Sequence, residues 1–200
     1  MKVVIIGQQY LAQQVLLRLA SLEGADVIRT ISPTASDRLY VTSLEQGVKP
    51  IAVQGSIGGE HIPDGTELIV CAHNKAYIKK DAINKAEIGA ISYHPSLLPR
   101  HRGGDAVKWA VHMKEAISGG TVYWVNDKVD AGPIAARRSC FIRSDDTASL
   151  LWRRELAPLG VELIESVVKD VLKGVIIQEP QDENVVTWEP SFSQRSLRAG

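Results

Sequence analysis

The sequence predicts an α/β fold, with a Rossmann-like open and mainly parallel sheet flanked by helices. Short apolar runs of strand length alternate along the chain with longer stretches in which apolar residues recur at helical spacing. The chain has 200 residues, enough for one domain to bury a sizeable core without disulfides or a structural metal. These two observations favour a single α/β domain over a stapled mini-protein or a repeat array.

The chain opens with a strand, a tight turn and an amphipathic helix. Residues 3–6 are a buried apolar run, and Gly7 supplies the turn. The helix that follows is indicated by apolar residues at helical spacing, namely Leu11, Val15, Leu16 and Leu19. This order is typical of the first half of a βαβ unit.

The remaining elements continue the alternation. Six further strands are predicted over residues 25–31, 50–53, 67–72, 89–93, 121–125 and 132–141. Four further helices are predicted over residues 35–46, 78–85, 105–115 and 145–172. We expect Gly119-Gly120 to end the helix before the sixth strand, and Pro158-Leu159-Gly160 to interrupt the last helix.

The charge balance argues against nucleic acid and membrane partners. The chain carries 23 basic and 23 acidic residues, whereas a DNA-binding or membrane-surface protein would be expected to show an excess of Lys and Arg. No apolar run approaches the roughly 18 residues of a membrane span. Cys71 and Cys140 lie far apart in apolar stretches, which favours buried thiols in a reducing compartment over a disulfide. We therefore predict a cytoplasmic protein.

Three tempting motifs have plainer explanations. The turn after the first strand keeps only Gly7 of the dinucleotide-binding G-x-G-x-x-G pattern, so a structural turn is favoured over a nucleotide site. The five histidines show no metal-ligand spacing, and we predict no metal. The cluster Arg100-His101-Arg102 is more often a solvated loop, with an anionic ligand as the functional alternative.

Residues 92–104 are the segment best suited to carry chemistry. They follow a buried strand, and ligands usually bind at the carboxyl ends of strands in an open α/β sheet. Pro95 and Pro99 stiffen the loop around His94, and a general acid or base needs such a fixed position. A capping or structural histidine is the competing interpretation.

Asp130 is a second candidate at a strand end. It lies 36 residues after His94, in the turn-rich segment 126–134. An isolated Asp before Ala-Gly is commonly a turn residue. Paired with His94, its carboxylate could instead hold the imidazole in one tautomer and stabilise its charged form.

These motifs together resemble one enzyme family. The string H-P-S-L-L-P-R-H-R-G at residues 94–103 is followed by Trp109, by Gly119-Gly120-Thr121 and by a D-x-G-x-I pattern at residues 130–134. The combination is similar to the formyltransferases that depend on 10-formyltetrahydrofolate. The longer string beginning at Tyr93 is most similar to the hydrolase domain of 10-formyltetrahydrofolate dehydrogenase. The resemblance spans about residues 1–190.

The resemblance implies 10-formyltetrahydrofolate as the formyl donor and assigns roles to three positions. His94 and Asp130 match the catalytic His and Asp of the family. The family Asn, two residues before the His, is replaced by Ser92. The resemblance implies that this Asn donates a hydrogen bond to the developing oxyanion. Ser92 is shorter, so it would donate directly or through a water. The replacement favours transfer to water, or slow transfer to an amine.

The resemblance also indicates where the folate would bind. The pterin pocket of the family corresponds to residues 71–77 and 125–130, so the expected contacts are Cys71, Ala72, His73, Val125, Asn126 and Asp127. We further expect Leu97 and Leu98 to line an apolar wall, and Arg100 or Arg102 to meet an anionic substrate.

The chain length bears on the acceptor and on the domain division. We predict a formyltransferase catalytic domain over residues 1–177 and a tail or linker-like extension over residues 178–200. Relatives that act on tRNA or carry a dehydrogenase continue well beyond such a core, so we expect water or a small amine, such as a sugar amine, as acceptor, and not tRNA. A non-catalytic folate-binding protein on the same scaffold is the alternative. The sequence does not indicate an oligomeric state.

Overall fold

The computed structural model describes residues 1–192 and shows one seven-stranded sheet with the order β3-β2-β1-β4-β5-β6-β7. Strands β1 to β5 are parallel, whereas β6 runs antiparallel to β5 and β7 antiparallel to β6. The strands are β1 (Lys2–Gly7), β2 (Asp26–Ser32), β3 (Pro50–Ala52), β4 (Leu68–Ala72), β5 (Gly89–His94), β6 (Ile117–Trp124) and β7 (Ile134–Phe141). The predicted fold class is confirmed.

Helices cover both faces of the sheet. They are α1 (Gln9–Ala20), α2 (Arg38–Glu45), α3 (Lys80–Ile83), α4 (Ala106–His112), α5 (Ala148–Leu151) and α6 (Ala157–Leu172). One face packs against α1 and α6, and the other against residues that include Ala82 of α3. Because both faces are buried, central strands such as β4 are apolar throughout and do not alternate. Among the described residues, no helix combines the length and apolar character needed to cross a bilayer.

The paired glycines lie inside β6, so our prediction that they end a helix before the strand was wrong. A Cβ on Gly119 would meet Arg138 O at 2.3 Å and the Leu97 side chain at 2.6 Å. A Cβ on Gly120 would meet the Tyr93 ring at distances from 2.3 Å. Both positions need glycine because neighbouring groups approach the strand closely, and not because the chain turns there.

The last helix is interrupted earlier than predicted. Thr147 caps its start by accepting a hydrogen bond from Leu150 N, close to the predicted beginning. A wider π turn then occupies Trp152–Leu156, and α6 begins immediately afterwards with Pro158 in its first turn. The interruption therefore precedes the proline, whose missing N–H falls where the helical hydrogen-bond pattern changes. Gly160 continues the helix and packs against the Tyr93 ring.

Residues 178–192, which we name the C-terminal strap, pack back against the start of β7, the loop after His94 and α4. Glu179 and Ile134 exchange two backbone hydrogen bonds of 2.7 and 2.9 Å. Further along, Arg102 N donates to Thr187 O at 3.0 Å, and Trp109 Nε1 donates to Pro190 O at 2.8 Å. Residues 193–200 of the predicted tail lie outside the described residues. The boundary at residue 177 stays a prediction.

Candidate active site

His94 is the last residue of β5 and lies among buried groups. Its side chain is only 9% exposed. Its Nε2 is 2.7 Å from the His101 carbonyl oxygen. Because a carbonyl oxygen only accepts, this contact requires a proton on Nε2. The second ring nitrogen, Nδ1, is thereby left to exchange protons.

Asp130 faces that second nitrogen from the loop between β6 and β7. Its Oδ2 lies 3.5 Å from His94 Nδ1, and its side chain is 13% exposed. The backbone of Asp130 has a φ of +50°, a left-handed conformation that Asp tolerates better than most residues. The structure thus brings together the two residues that are 36 positions apart in the sequence.

Two donors hold the Asp130 carboxylate in place. The Tyr123 hydroxyl donates to Oδ1 at 2.6 Å, and Gly103 N donates to Oδ2 at 2.8 Å. The first donor comes from β6 and the second from the loop after β5. A carboxylate fixed by two charge-assisted hydrogen bonds can orient an imidazole and stabilise its cationic form.

Tyr123 is a site residue that the sequence analysis missed. Burial, followed by the neighbouring charge of Asp130, raises the pKa of Tyr123 well above its usual value, so the phenol stays protonated and remains a donor. Ser92 is paired with Tyr123 across the antiparallel β5–β6 ladder. A hydrogen bond from the Ser92 hydroxyl lowers the Tyr123 pKa and so offsets part of this rise. Its pairing with Ser92 could have revealed Tyr123, but that pairing is known only once the register between β5 and β6 is known.

The turn that presents Asp130 depends on Gly132. A Cβ on Gly132 would lie 1.6 Å from Trp124 O, so no other residue fits without moving the backbone. Trp124 N donates to Pro133 O at 2.8 Å and closes the loop. The glycine of the D-x-G pattern therefore allows the close return of the chain towards β7.

The first group of predicted folate contacts lies at the carboxyl end of β4. Cys71 and Ala72 are fully buried, and burial raises the pKa of the Cys71 thiol to about 12. His73 follows in a left-handed conformation and packs against Trp152, with 5.5 Å between the ring centroids. Burial, with a smaller effect of Lys75, lowers the pKa of His73. The side chains of Cys71 and Ala72 are therefore not accessible to a ligand.

The two predicted apolar contacts, Leu97 and Leu98, separate. Leu98 is fully buried beneath the loop and packs with Tyr123 and Ile134. Leu97 is partly exposed and lines a cleft with Arg100, Glu115, Ile117 and Ser118. Leu98 therefore supports the loop from below. Our expectation that it lines an open apolar wall together with Leu97 was wrong.

The second group of predicted folate contacts is more open. Val125 is half-buried and donates its N–H to Ala90 O at 2.8 Å, which continues the sheet beyond β6. Asn126 and Asp127 are exposed at the start of the Asp130 loop, and Asn126 Oδ1 accepts a hydrogen bond from Lys128 N at 3.0 Å. These residues lie on the same loop as Asp130, as predicted from the sequence order.

The two arginines proposed to meet an anionic substrate are already paired with carboxylates. Arg102 is buried and donates to Glu183 Oε1 at 2.7 Å. Arg100 forms an ion pair with Glu115. His101, between them, lies 3.1 Å from Glu115 Oε1 and 2.9 Å from Glu189 Oε2. The cluster therefore joins the loop to its surroundings, and our prediction of a solvated loop was wrong for His101 and Arg102, which are buried. A contact of Arg100 or Arg102 with a substrate anion stays a prediction.

A small cleft opens at the carboxyl ends of β1, β2 and β4. It is lined in part by Gly7, Gln8, Ser32, His73 and Asn74. Its position matches the general rule that ligands bind beyond the carboxyl ends of strands, where the strand order reverses. Within residues 1–192, no group of three His, Cys, Asp or Glu side chains is arranged to hold a metal ion.

Residues 56–167 match the family model described as formyl transferase. The matched segment is more than half of the chain, and it includes β4 to β7 and most of α6. The chain belongs to the formyl transferase family. The resemblance predicted from the sequence is confirmed.

A sequence relative agrees with this assignment. The cytosolic 10-formyltetrahydrofolate dehydrogenase of Mus musculus is 31% identical over 202 residues, covering 94% of this chain and 22% of the dehydrogenase. The chain thus spans about a fifth of the length of that relative.

Two solved structures share the fold. Glycinamide ribonucleotide transformylase 1 from Symbiobacterium toebii superimposes with a TM-score of 0.76 and 19% identity, covering 91% of this chain and 94% of that one. An N-formyltransferase from Helicobacter canadensis, in complex with folinic acid and dTDP-3-aminofucose, gives a TM-score of 0.76 and 16% identity, covering 94% and 70% respectively.

Proposed function

We propose that this protein removes the formyl group from 10-formyltetrahydrofolate and delivers it to water or, more slowly, to a small amine. The observation that carries the proposal is the pairing of His94 Nδ1 with Asp130 Oδ2 at 3.5 Å in a member of the formyl transferase family. The dehydrogenase relative is named for the same folate, and one structural neighbour is complexed with folinic acid.

The geometry supports a mechanism based on proton transfer at His94. With its Nε2 proton held by the His101 carbonyl, His94 can accept a proton from the attacking water or amine at Nδ1. The oxygen or nitrogen lone pair attacks the formyl carbon, the bond from that carbon to N10 breaks, and N10 receives the proton. Asp130 stabilises the imidazolium that exists between these transfers. No covalent bond to the protein is required.

Ser92 supports water as the main acceptor. The family Asn would offer a long amide donor at this position, whereas the Ser92 hydroxyl is short and lies beside the Tyr123 oxygen. Losing one oxyanion donor costs about 3 kcal/mol in other enzymes, or roughly a hundredfold in rate. A site weakened in this way favours the abundant, small nucleophile, which needs no binding pocket of its own.

The start of α1 is not suited to bind the phosphate of an acceptor. A helix N-terminus at the carboxyl edge of an α/β sheet is a usual place for a phosphate. Here Gln9 N donates to both carboxylate oxygens of Asp37, at 3.1 Å each. Asp37 also caps α2 by accepting from Leu39 N at 2.8 Å. A phosphate at this helix end would meet a fixed negative charge.

The competing function is folate binding without catalysis. It is motivated by the replacement of the family Asn with Ser92. It would predict tight binding of 10-formyltetrahydrofolate with no formate and no formylated amine.

A cytoplasmic location is part of the proposal, supported by free Cys71 and Cys140.

The deciding experiment follows labelled formyl groups. The purified chain is incubated with 10-formyltetrahydrofolate labelled in the formyl carbon, with and without glucosamine as a probe amine. We expect labelled formate in both reactions, and formylated glucosamine as a minor product. Binding measured by calorimetry without either product would establish the folate-binding alternative and overturn the enzymatic one.

A further inference from the structure

The Gln181 side chain, in the C-terminal strap, reaches the loop that carries Asp130. Its Nε2 donates to Asp130 O at 2.9 Å and to Gly132 O at 2.7 Å. The two hydrogens of the amide thus bind the carbonyl oxygens on both sides of Ala131. A side chain from outside the loop therefore fixes the backbone that presents the Asp130 carboxylate.

The other end of the same amide is joined to the loop that follows His94. Gln181 Oε1 accepts from Arg102 Nε at 3.0 Å and from Arg102 Nη2 at 2.8 Å. Arg102 is buried and sits between His101, whose carbonyl accepts from His94, and Gly103, whose N–H donates to Asp130. The Gln181 amide uses both donors and accepts twice, so it is a fully satisfied bridge.

The Asp130 loop has reason to depend on this bridge. Asp130 is in a left-handed conformation, which is less favourable than extended or helical backbone for residues other than glycine. The preceding residues 126–129 are exposed. The Gly103 and Tyr123 donors hold the carboxylate, whereas the Gln181 donors hold the main chain behind it.

We propose that Gln181 is a positioning residue, which sets the place of Asp130 relative to His94 by linking the two loops through Arg102. This inference rests on the proposed function, because it assigns Gln181 an effect on the formyl transfer step. The C-terminal strap then supplies part of the framework of the active site. Gln181 itself acts through Asp130 and not on the folate.

The substitution Gln181→Glu isolates the Asp130 side of the bridge. A carboxylate keeps the two acceptor contacts to Arg102 but removes both donors to the Asp130 loop. Gln178→Glu is the matched control, since it makes the same chemical change at an exposed residue of the C-terminal strap. Gln181→Met, which removes all four hydrogen bonds at nearly constant shape, is the second variant.

The measurement is the rate of labelled formate release as a function of folate concentration and pH. We expect Gln181→Glu to lower kcat by about tenfold, the effect of two lost hydrogen bonds, with a smaller change in KM and an altered pH profile of kcat. Gln178→Glu should match the wild-type protein. Melting temperatures identify variants that remain folded, and Gln181→Met should show the same pattern as Gln181→Glu.

A double-mutant cycle with Asp130→Asn tests whether Gln181 acts through Asp130. In the Asp130→Asn background, Gln181→Glu should have little further effect on kcat. An undiminished effect there, or a folded Gln181→Glu variant with wild-type kcat, would overturn the inference while leaving the proposed function intact. A wild-type protein that releases no formate would overturn both.

Discussion

The Tyr123 hydroxyl, in β6, donates a 2.6 Å hydrogen bond to Asp130 Oδ1, whereas Gly103 N donates to the other carboxylate oxygen, Oδ2. Burial and the Asp130 charge keep the Tyr123 pKa well above its usual value. The phenol therefore remains protonated over the working pH range. It serves as a constant donor that keeps the Asp130 carboxylate in one orientation.

Removing that donor should slow the reaction. Tyr123→Phe deletes one hydrogen bond to a carboxylate, so we expect kcat to fall by about tenfold or more. Tyr93→Phe is the matched control, because the Tyr93 hydroxyl donates to Leu156 O on the opposite face of the sheet. Steady-state formate release should show a loss for the first variant and wild-type kcat for the second. Equal kcat values for both would argue against a role for Tyr123.

Restoring the family amide should change the acceptor preference. Ser92→Asn introduces a longer donor next to the reacting carbon, and we expect the ratio of formylated glucosamine to formate to rise by about tenfold. The measurement is the partition of formyl label between the two products. Ser139→Asn, at an exposed position of β7, is the control. An unchanged ratio in Ser92→Asn would show that this position does not govern the acceptor.

The stability of the start of the last helix should depend on pH through Asp146. Hydrogen bonding to Arg154, and then to Arg143 N, lowers the Asp146 pKa from its ordinary value of 3.8. The stabilisation is therefore fully present above the unfolded-state pKa and is lost as the pH falls through the lower folded-state pKa.

Asp146→Asn tests this linkage. We expect a lower free energy of unfolding than wild type at pH 7, and a difference that shrinks as the pH falls below about 3.8. Urea denaturation at a series of pH values measures it. Asp145→Asn, at the exposed neighbouring residue, should show no such pH-dependent difference. A gap for Asp146→Asn that stays constant from neutral to acid pH would contradict the assignment.

Much of this arrangement could be predicted from the sequence because it is local. The apolar run of β4 and the helical spacing in α1 determine strand and helix by burial alone. The loop after His94 and the turn at Asp130 are marked by prolines and glycines, whose backbone restrictions are visible in any sequence. The convergence of these two residues did not follow from their positions at strand ends, because β6 is antiparallel to β5 and the Asp130 loop must fold back to reach His94.

What the sequence did not reveal depends on long-range register. Tyr123 is an aromatic residue in a strand, which is typical of a core position, and only its pairing with Ser92 places it at the site. Gln181 lies in a segment without periodicity, so the contacts of its amide depend on how the chain returns over the sheet. Gly119 was misassigned because a glycine required by a close side chain is indistinguishable in sequence from one required by a turn.

Formate release by wild-type protein and by His94→Ala tests the central claim most directly. General acid–base catalysis contributes about a hundredfold to ten-thousandfold, so His94→Ala should lower kcat by at least about a hundredfold. His61→Ala, in the turn before β4, is the control and should retain wild-type kcat. Release of formate from 10-formyltetrahydrofolate at the wild-type rate by a folded His94→Ala variant would contradict the account.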